Sequence, residues 1–229
     1  MEEFLNQLSR LVLWQYRAVF IRGFTVSVQI TLISMGLSVV LALLVAFVRI
    51  SKIKVPRTIG IIYIELARDT PILVTMLWFT YVLPPLIGVR IPPYWTAVMA
   101  LVLQTSGYLA ETFRGGIESV DRGQVLAGNA LGMNNLLLLR RIVLPQAIRK
   151  SIPDVLNNFV VLFKTSTLVS IVAVPDLMYH ASRLVSQLFK PIEIYSEVAI
   201  IYLIIVFVLA TFVHKVQKRY QQRERAETV

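Results

Sequence analysis

The sequence predicts an all-α, polytopic membrane protein, and three observations carry that prediction. The 229 residues are 56% hydrophobic and only 16% charged, with a mean hydropathy of +0.70, where a soluble domain is about one-quarter charged. The apolar residues gather in long runs of spanning length instead of short strand-like alternations. The basic residues, in turn, crowd into alternate connections between those runs. A net charge of +10 in a soluble chain would point to nucleic acid. Here Lys and Arg lie in loops and tail, where they orient the chain in a bilayer, so no nucleic-acid partner is expected. There is no cysteine, which excludes disulfides and thiolate metal sites. His180 and His214 are too few and too far apart for a metal centre.

Taken in order, residues 4–20 mix polar and apolar side chains at helical spacing, with Trp14 and Tyr16. An interfacial helix over 1–22 is expected, leading into the first span. No cleavable signal is expected, because Glu2 and Glu3 replace a basic leader. Residues 24–48 are an uninterrupted apolar run, followed by Arg49, Lys52, Lys54 and Arg57. Residues 59–83 form a second run, but Glu65, Arg68, Asp69 and Pro71 fall inside it. A short connection with Pro84, Pro85, Pro92 and Pro93 precedes a third span at 94–113, anchored by Tyr94 and Trp95. A fourth span, 152–174, is interrupted by Lys164 and a Thr/Ser run. Residues 176–194 form a polar outer connection that can be partly helical, 195–213 a fifth span, and 214–229 a basic tail. The basic connections at 49–57, at 114–150 and in the tail put the N-terminus outside and the C-terminus in the cytoplasm. One transmembrane domain over 1–229 is expected, with no internal repeat.

The polar stretch between the third and fourth spans does not read as a slack loop. Asp121 and Gln124 have capping-box spacing. Val125, Leu126, Ala127, Ala130, Leu131 and Met133 recur at helical spacing. Gly132, beside Asn134 and Asn135, supplies a left-handed stop. A capped cytoplasmic helix over 121–133 with an apolar stripe suits docking into a partner protein. Gly123 and Gly128 have the spacing that opens a phosphate-binding loop, but Asn129 and Ala130 stand where Lys and Ser/Thr would be needed. The chain is therefore not expected to hydrolyse ATP by that route or to be an enzyme; if it pumps, the energy enters through a partner.

The runs G-Y-L-A-E-T-F-R-G-G-I-E-S-V-D-R-G-Q (107–124), L-A-G-N-A-L-G (126–132) and I-V-L-P-Q-A-I-R (142–149) resemble the membrane subunit of an ABC importer of the polar amino acid permease type. G-F-T-V-S (23–27), E-L-A-R-D-T-P (65–71) and K-T-S-T-L (164–168) extend the resemblance, in order, over nearly the whole chain. It implies the type I importer fold, with five spans per subunit, in a bacterial inner membrane. Further implied partners are a second permease subunit, two copies of an ATPase that bind ATP and magnesium, and an extracytoplasmic substrate-binding protein delivering an amino acid. The chain itself would hold no cofactor. The helix 121–133 would be the coupling helix, with Gly123, Gln124, Leu126, Ala127, Gly128, Leu131, Gly132 and Met133 at the ATPase contact. The family's E-A-A triplet reads here as Leu126-Ala127-Gly128, so its glutamate is replaced by an apolar residue. Drift at a rim position is one account. The other is a heterodimer, slightly favoured over a homodimer, whose second subunit keeps the glutamate.

Charged groups within spans mark functional candidates. Glu65, Arg68 and Asp69 can share one helix face, either as a buried structural ion pair or as part of the translocation path, with Thr70 beside the Pro71 break. Lys164, Thr165 and Ser166 can meet a substrate carboxylate, or be a snorkelling lysine with hydroxyls bonded to their own helix. Gln104, Ser106, Tyr108 and Glu111 end the third span and can line the same cavity, although Glu111 can instead pair with Arg114. A gradient-driven transporter would need repeats or more embedded carboxylates, and a membrane enzyme would need a cluster of nucleophiles at one depth.

Overall fold

The computed structural model describes residues 12–51 and 53–227, and among these the chain is helical, with no strand. The helices are α1 (Val12–Gln15), α2 (Arg17–Arg49), α3 (Lys54–Asp69), α4 (Ile72–Leu77) and α5 (Leu83–Ile87), then α6 (Pro93–Glu118). They continue as α7 (Arg122–Ala130), α8 (Asn135–Leu138), α9 (Leu144–Thr165), α10 (Leu177–Leu188) and α11 (Pro191–Glu227). Two single π turns, Trp78–Val82 and Leu139–Val143, and a 3₁₀ segment, Ser166–Val172, join neighbouring helices. Much of the expected interfacial helix lies outside the described residues. Its last part does not stand alone: α2 runs unbroken from Arg17 into the first apolar run.

The run 59–83 is not one helix. Thr70 and Pro71 are both extended, with ψ of 127° and 128°, so α3 ends at Asp69 and α4 starts anew. The proline ring disfavours helical geometry at the residue before it and has no N–H to give. The hydroxyl of Thr70 folds back and donates to Leu66 O at 2.7 Å, closing the end of α3. The π turns share a related cause. Leu83 N–H bonds to Trp78 O and Leu144 N–H to Leu139 O, each just ahead of a proline, Pro84 and Pro145. Widening the turn by one residue makes room for a ring that cannot take its place in the helical ladder.

Among the described residues, three continuous helical stretches are long and apolar enough to cross a membrane: Arg17–Arg49, Asn135–Val172 and Pro191–Lys218. The broken pair Lys54–Asp69 and Ile72–Ile87 makes a fourth if it counts as one span. The expected third span, within α6, falls short because Thr96, Gln104, Thr105, Ser106 and Glu111 dilute its 26 residues. On α2, Ser27, Thr31, Ser34 and Ser38 form a stripe of buried small polar side chains, none more than 1% exposed. Ser27 and Thr31 satisfy their hydroxyls on the carbonyls of Gly23 and Ser27, while Ser34 Oγ is buried with no hydrogen-bond partner among the described residues; the small side chains let a neighbour approach closely.

The chain forms two compact units. One comprises residues 1–35, 71–102 and 160–210; the other 36–70, 103–159 and 211–229. The first is built on Ile30, Met76, Val98, Leu101, Val169 and Val172, with a second cluster of Phe20, Leu177, Ala181, Ile194 and Val198. In the second, Gly107 lets α6 cross α3 closely, since a Cβ there would sit 2.8 Å from that of Ala67. Gly116 does the same against α9, where a Cβ would lie 2.8 Å from Ala147 O. Buried Val120, Leu138 and Val143 form a further cluster, with Val125 and Met133 packed against it.

Candidate functional site

The best-formed candidate surface is α7. Asp121 caps it by accepting the N–H groups of Gly123 and Gln124 at 2.5 and 3.3 Å. The reciprocal half of the expected capping box is replaced, because the side chain of Gln124 instead accepts Nε2 of Gln146 at 2.6 Å. At the other end Gly132 takes φ +77°. There Gly132 N–H bonds Asn129 O and Met133 N–H bonds Gly128 O, closing both carbonyls of the last turn. Asn134 then caps α8 through Leu137 N–H at 2.8 Å. The helix is thus fixed at both ends by groups of its own sequence.

Its faces divide cleanly. Val125, Gly128 and Met133 face the body of their own unit, while Leu126, Ala127, Ala130 and Leu131 face outward. Leu126 is 67% and Leu131 82% exposed. Gly128 marks the closest approach: a Cβ there would stand 3.1 Å from Ile142 Cδ1 and Leu138 Cδ1. So of the residues assigned to the ATPase contact, Gly128 and Met133 pack inward and serve as support, and Leu126, Ala127 and Leu131 form the free apolar tip.

The pathway candidates of the second unit separate into three groups. Arg68 and Tyr108 are brought together, the guanidinium lying 5.2 Å from the ring centroid and the Tyr108 hydroxyl donating to Arg68 O at 3.4 Å. Glu65, Arg68 and Asp69 are exposed within the chain, so the buried structural ion pair is overturned: Arg68 packs on an aromatic face, not a carboxylate. Gln104 is half-buried, and Thr70 is bonded to its own helix. Ser106 is withdrawn as a lining residue. It is fully buried, donating to Leu103 O and paired with Tyr63 Oη at 2.7 Å. Glu111 takes the alternative partner, Arg114, at 2.7 Å, and Glu118 holds the same guanidinium from the next turn. In the first unit Lys164 is exposed and Thr165 half-buried, but Ser166 is buried against Phe163 O and Thr31, which removes it from any path.

The sequence reasoning missed a joint in the first unit. A Cβ on Gly23 would lie 2.8 Å from Asp176 O and Leu177 Cα, so only glycine lets α2 pass there. Ser27 Oγ accepts Leu177 N–H at 3.4 Å, and Asp176, 0% exposed, caps α10 through Tyr179 N–H at 2.8 Å. Burial pushes the Asp176 carboxyl up to about 7, against the pull of the backbone N–H groups of Tyr179 and Met178. The same burial, with Arg183 and Arg22 nearby, lowers His180 one turn on. The signal was in the sequence as Pro-Asp ahead of an apolar helix.

No cluster of metal-ligating side chains occurs among the described residues. The model of binding-protein-dependent transport system inner membrane components matches residues 38–226. The octopine transport system permease protein OccM of Rhizobium radiobacter is 35% identical over 206 residues, 86% of this chain and 84% of its own length. The L-cystine transport system permease protein TcyB of Bacillus subtilis is 35% identical over 198 residues, again 86% and 84%. A crystal structure of an amino acid ABC transporter with histidines superposes with a TM-score of 0.85 at 32% identity, covering 90% of this chain and 95% of that one. An all-helical chain with an outward-facing, doubly capped helix and these relatives belongs to the family of binding-protein-dependent transport system inner membrane components.

Proposed function

We propose that the chain is the permease subunit of an ATP-driven importer of polar amino acids and forms half of its translocation pathway. It crosses the membrane five times, with its N-terminus outside and its C-terminus in the cytoplasm. A second permease, identical or homologous, completes the pathway, two ATPases dock beneath, and an extracytoplasmic binding protein supplies the substrate. The observation that carries this reading is the tip of α7: Leu126, Ala127, Ala130 and Leu131 are exposed on a helix whose two ends are capped. Small apolar groups on a rigid lever fit a groove on a moving ATPase. Closure of the ATPases is transmitted because the inner face of α7 is packed on Leu138 and Val143. The names of the relatives, octopine and L-cystine transport permeases, support a polar amino acid or a derivative as cargo.

Along the path, Arg68 held on Tyr108, with Glu65 and Gln104, is the polar set best able to meet a substrate carboxylate and amine. Lys164 and Thr165 are the corresponding groups of the other unit. The test is a pull-down of the tagged chain from detergent, with mass spectrometry of all co-purifying subunits, repeated with Leu131→Asp. The native chain should recover an ATPase and either itself alone or a different permease. A second permease would favour the asymmetric account of Leu126. Leu131→Asp should lose about tenfold or more of ATPase recovery, the fold-change of roughly 1.4 kcal/mol, while its own membrane level stays normal. Full recovery with Leu131→Asp would remove α7 as the docking element.

A further inference from the structure

We propose that the groove between α2, α6 and α9 in the second unit binds an acyl chain of an anionic phospholipid, with Arg49 and Lys150 meeting its phosphate. The groove has a volume of about 190 Å³ and is walled by Leu43, Phe47, Phe113, Ile117, Ile148 and Val155 among others. Ser151 is the only hydroxyl-bearing residue in its wall. Its Oγ is turned away, donating to Thr112 O at 3.4 Å beside Gly116, where any Cβ would clash with it. Nothing in the wall can hold a polar substrate or anchor a water, which needs two to four polar partners. Leu43, Phe47 and Ile148 are 38%, 46% and 51% exposed, so the groove opens on the surface of its unit and is not sealed. For a chain embedded in a bilayer, the apolar matter that meets such an opening is a lipid tail.

Charge selects the headgroup. Arg49 follows the groove residue Ala46 by one turn of α2, and Lys150 follows Ala147 by one turn of α9. Arg49 Nε is buried with no hydrogen-bond partner among the described residues. A buried donor left unpaired is costly, and a charged one more so. Arg49 as a whole is half-buried, so the rest of its guanidinium fork is the part that can turn to a phosphate. Lys150 Nζ gives one N–H to Ser119 O at 2.7 Å and has two more to offer. The acids of α6 on this side, Glu111 and Glu118, are both engaged by Arg114 and do not neutralise the rim. Asp154 adjoins Val155, at the other end of the α9 wall from Leu144. Apolar wall and cationic rim together match a phosphatidylglycerol-like lipid better than a zwitterionic one.

The experiment uses the assembled transporter in nanodiscs of phosphatidylcholine. Small amounts of phosphatidylglycerol or of phosphatidylcholine are added, each carrying a diazirine on one acyl chain, and crosslinked peptides are mapped. Phosphatidylglycerol should label the wall peptides of α2, α6 and α9 at least about fivefold more than phosphatidylcholine, a preference of roughly 1 kcal/mol. Ile148→Trp, at a half-exposed wall position, should fill the groove and remove most of that label. Should it fail to assemble, Leu43→Trp on the facing helix serves the same purpose. Arg49→Gln should leave the groove labelled but bring the two lipids level. Equal labelling by both lipids in the native chain overturns the choice of headgroup. Undiminished label in an assembled tryptophan variant overturns the groove itself. Efficient disulfide trapping of Leu43→Cys to a second copy of the chain would mean that another subunit, not lipid, covers this face, and would also overturn it.

Discussion

Asp176 concentrates several physical demands in one side chain. One carboxylate oxygen caps α10, while Oδ2 is buried without a hydrogen-bond partner among the described residues, as is Oη of Tyr202 on α11. Water exclusion favours the neutral acid, so the carboxyl stays protonated in the folded chain up to about pH 7, against an ordinary value of 3.8. The sign follows from proton counting. Between those two values the unfolded chain has lost the proton and the folded chain has kept it, so stability falls as pH rises through this window and levels off above it. The ceiling on that loss is about 1.4 kcal/mol for each pH unit traversed. Asp176→Asn keeps a good helix cap and removes the titration. At a fixed heating rate in one detergent, the thermal midpoint of the native chain should drop more between about pH 5 and about pH 8 than that of Asp176→Asn, the excess reflecting this linkage. Parallel curves would mean that the carboxyl ionises normally. The run G-F-T-V-S was visible in the sequence, but not why Gly23 and Ser27 matter: their partner lies some 150 residues away, and no local pattern encodes that contact. Ser106 and Ser166 were misjudged for a similar reason. A hydroxyl in a span reads alike whether it faces a cavity or bonds its own helix.

Among elements, α7 was the most legible, because capping is chemistry between neighbours in sequence. Asp121 and Gly132 both do what their positions predicted. The exchange of Gln124 from the cap to Gln146 was hidden, as it depends on α9 returning alongside. The broken 59–83 run shows the opposite limit: Pro71 announced a disturbance, while the apolar composition on both sides argued for continuity, and the backbone geometry of X-Pro won. Because α7 acts as a lever only while its first turn holds, Asp121→Ala should loosen it by about 1 kcal/mol without unseating Val125 and Met133. Substrate-stimulated ATPase activity of the reconstituted transporter should fall about fivefold, and Asp121→Ser should restore most of it. Unchanged activity in the alanine variant would mean that the inner-face packing and the Gln146 contact hold the lever unaided.

At the scale of the whole molecule, topology rests on charge and apolar length together, and here they do not speak with equal force. The alternation of basic and non-basic connections calls for five crossings. Length and hydropathy single out three helices, plus the broken pair Lys54–Asp69 and Ile72–Ile87, and leave α6 short. Polar side chains on α6 explain the shortfall without arguing against a crossing: Thr96 and Ser106 are fully buried and bonded to Thr80 and Tyr63, so lipid never meets them, and buried polar groups cost little when paired. The broken pair is the real point of decision, since it can cross once or enter and return. The absence of cysteine makes the question direct, because each introduced thiol reports a single position. With Thr58→Cys, Val89→Cys, Leu136→Cys and Ile192→Cys made one at a time, a membrane-impermeant maleimide applied to intact cells should label Val89→Cys and Ile192→Cys. It should reach Thr58→Cys and Leu136→Cys only after permeabilisation. If Thr58→Cys and Val89→Cys label alike, the pair returns to the side it left. The charge pattern around Arg49, Lys54 and Arg57 would then be a docking feature of that surface and not a determinant of orientation.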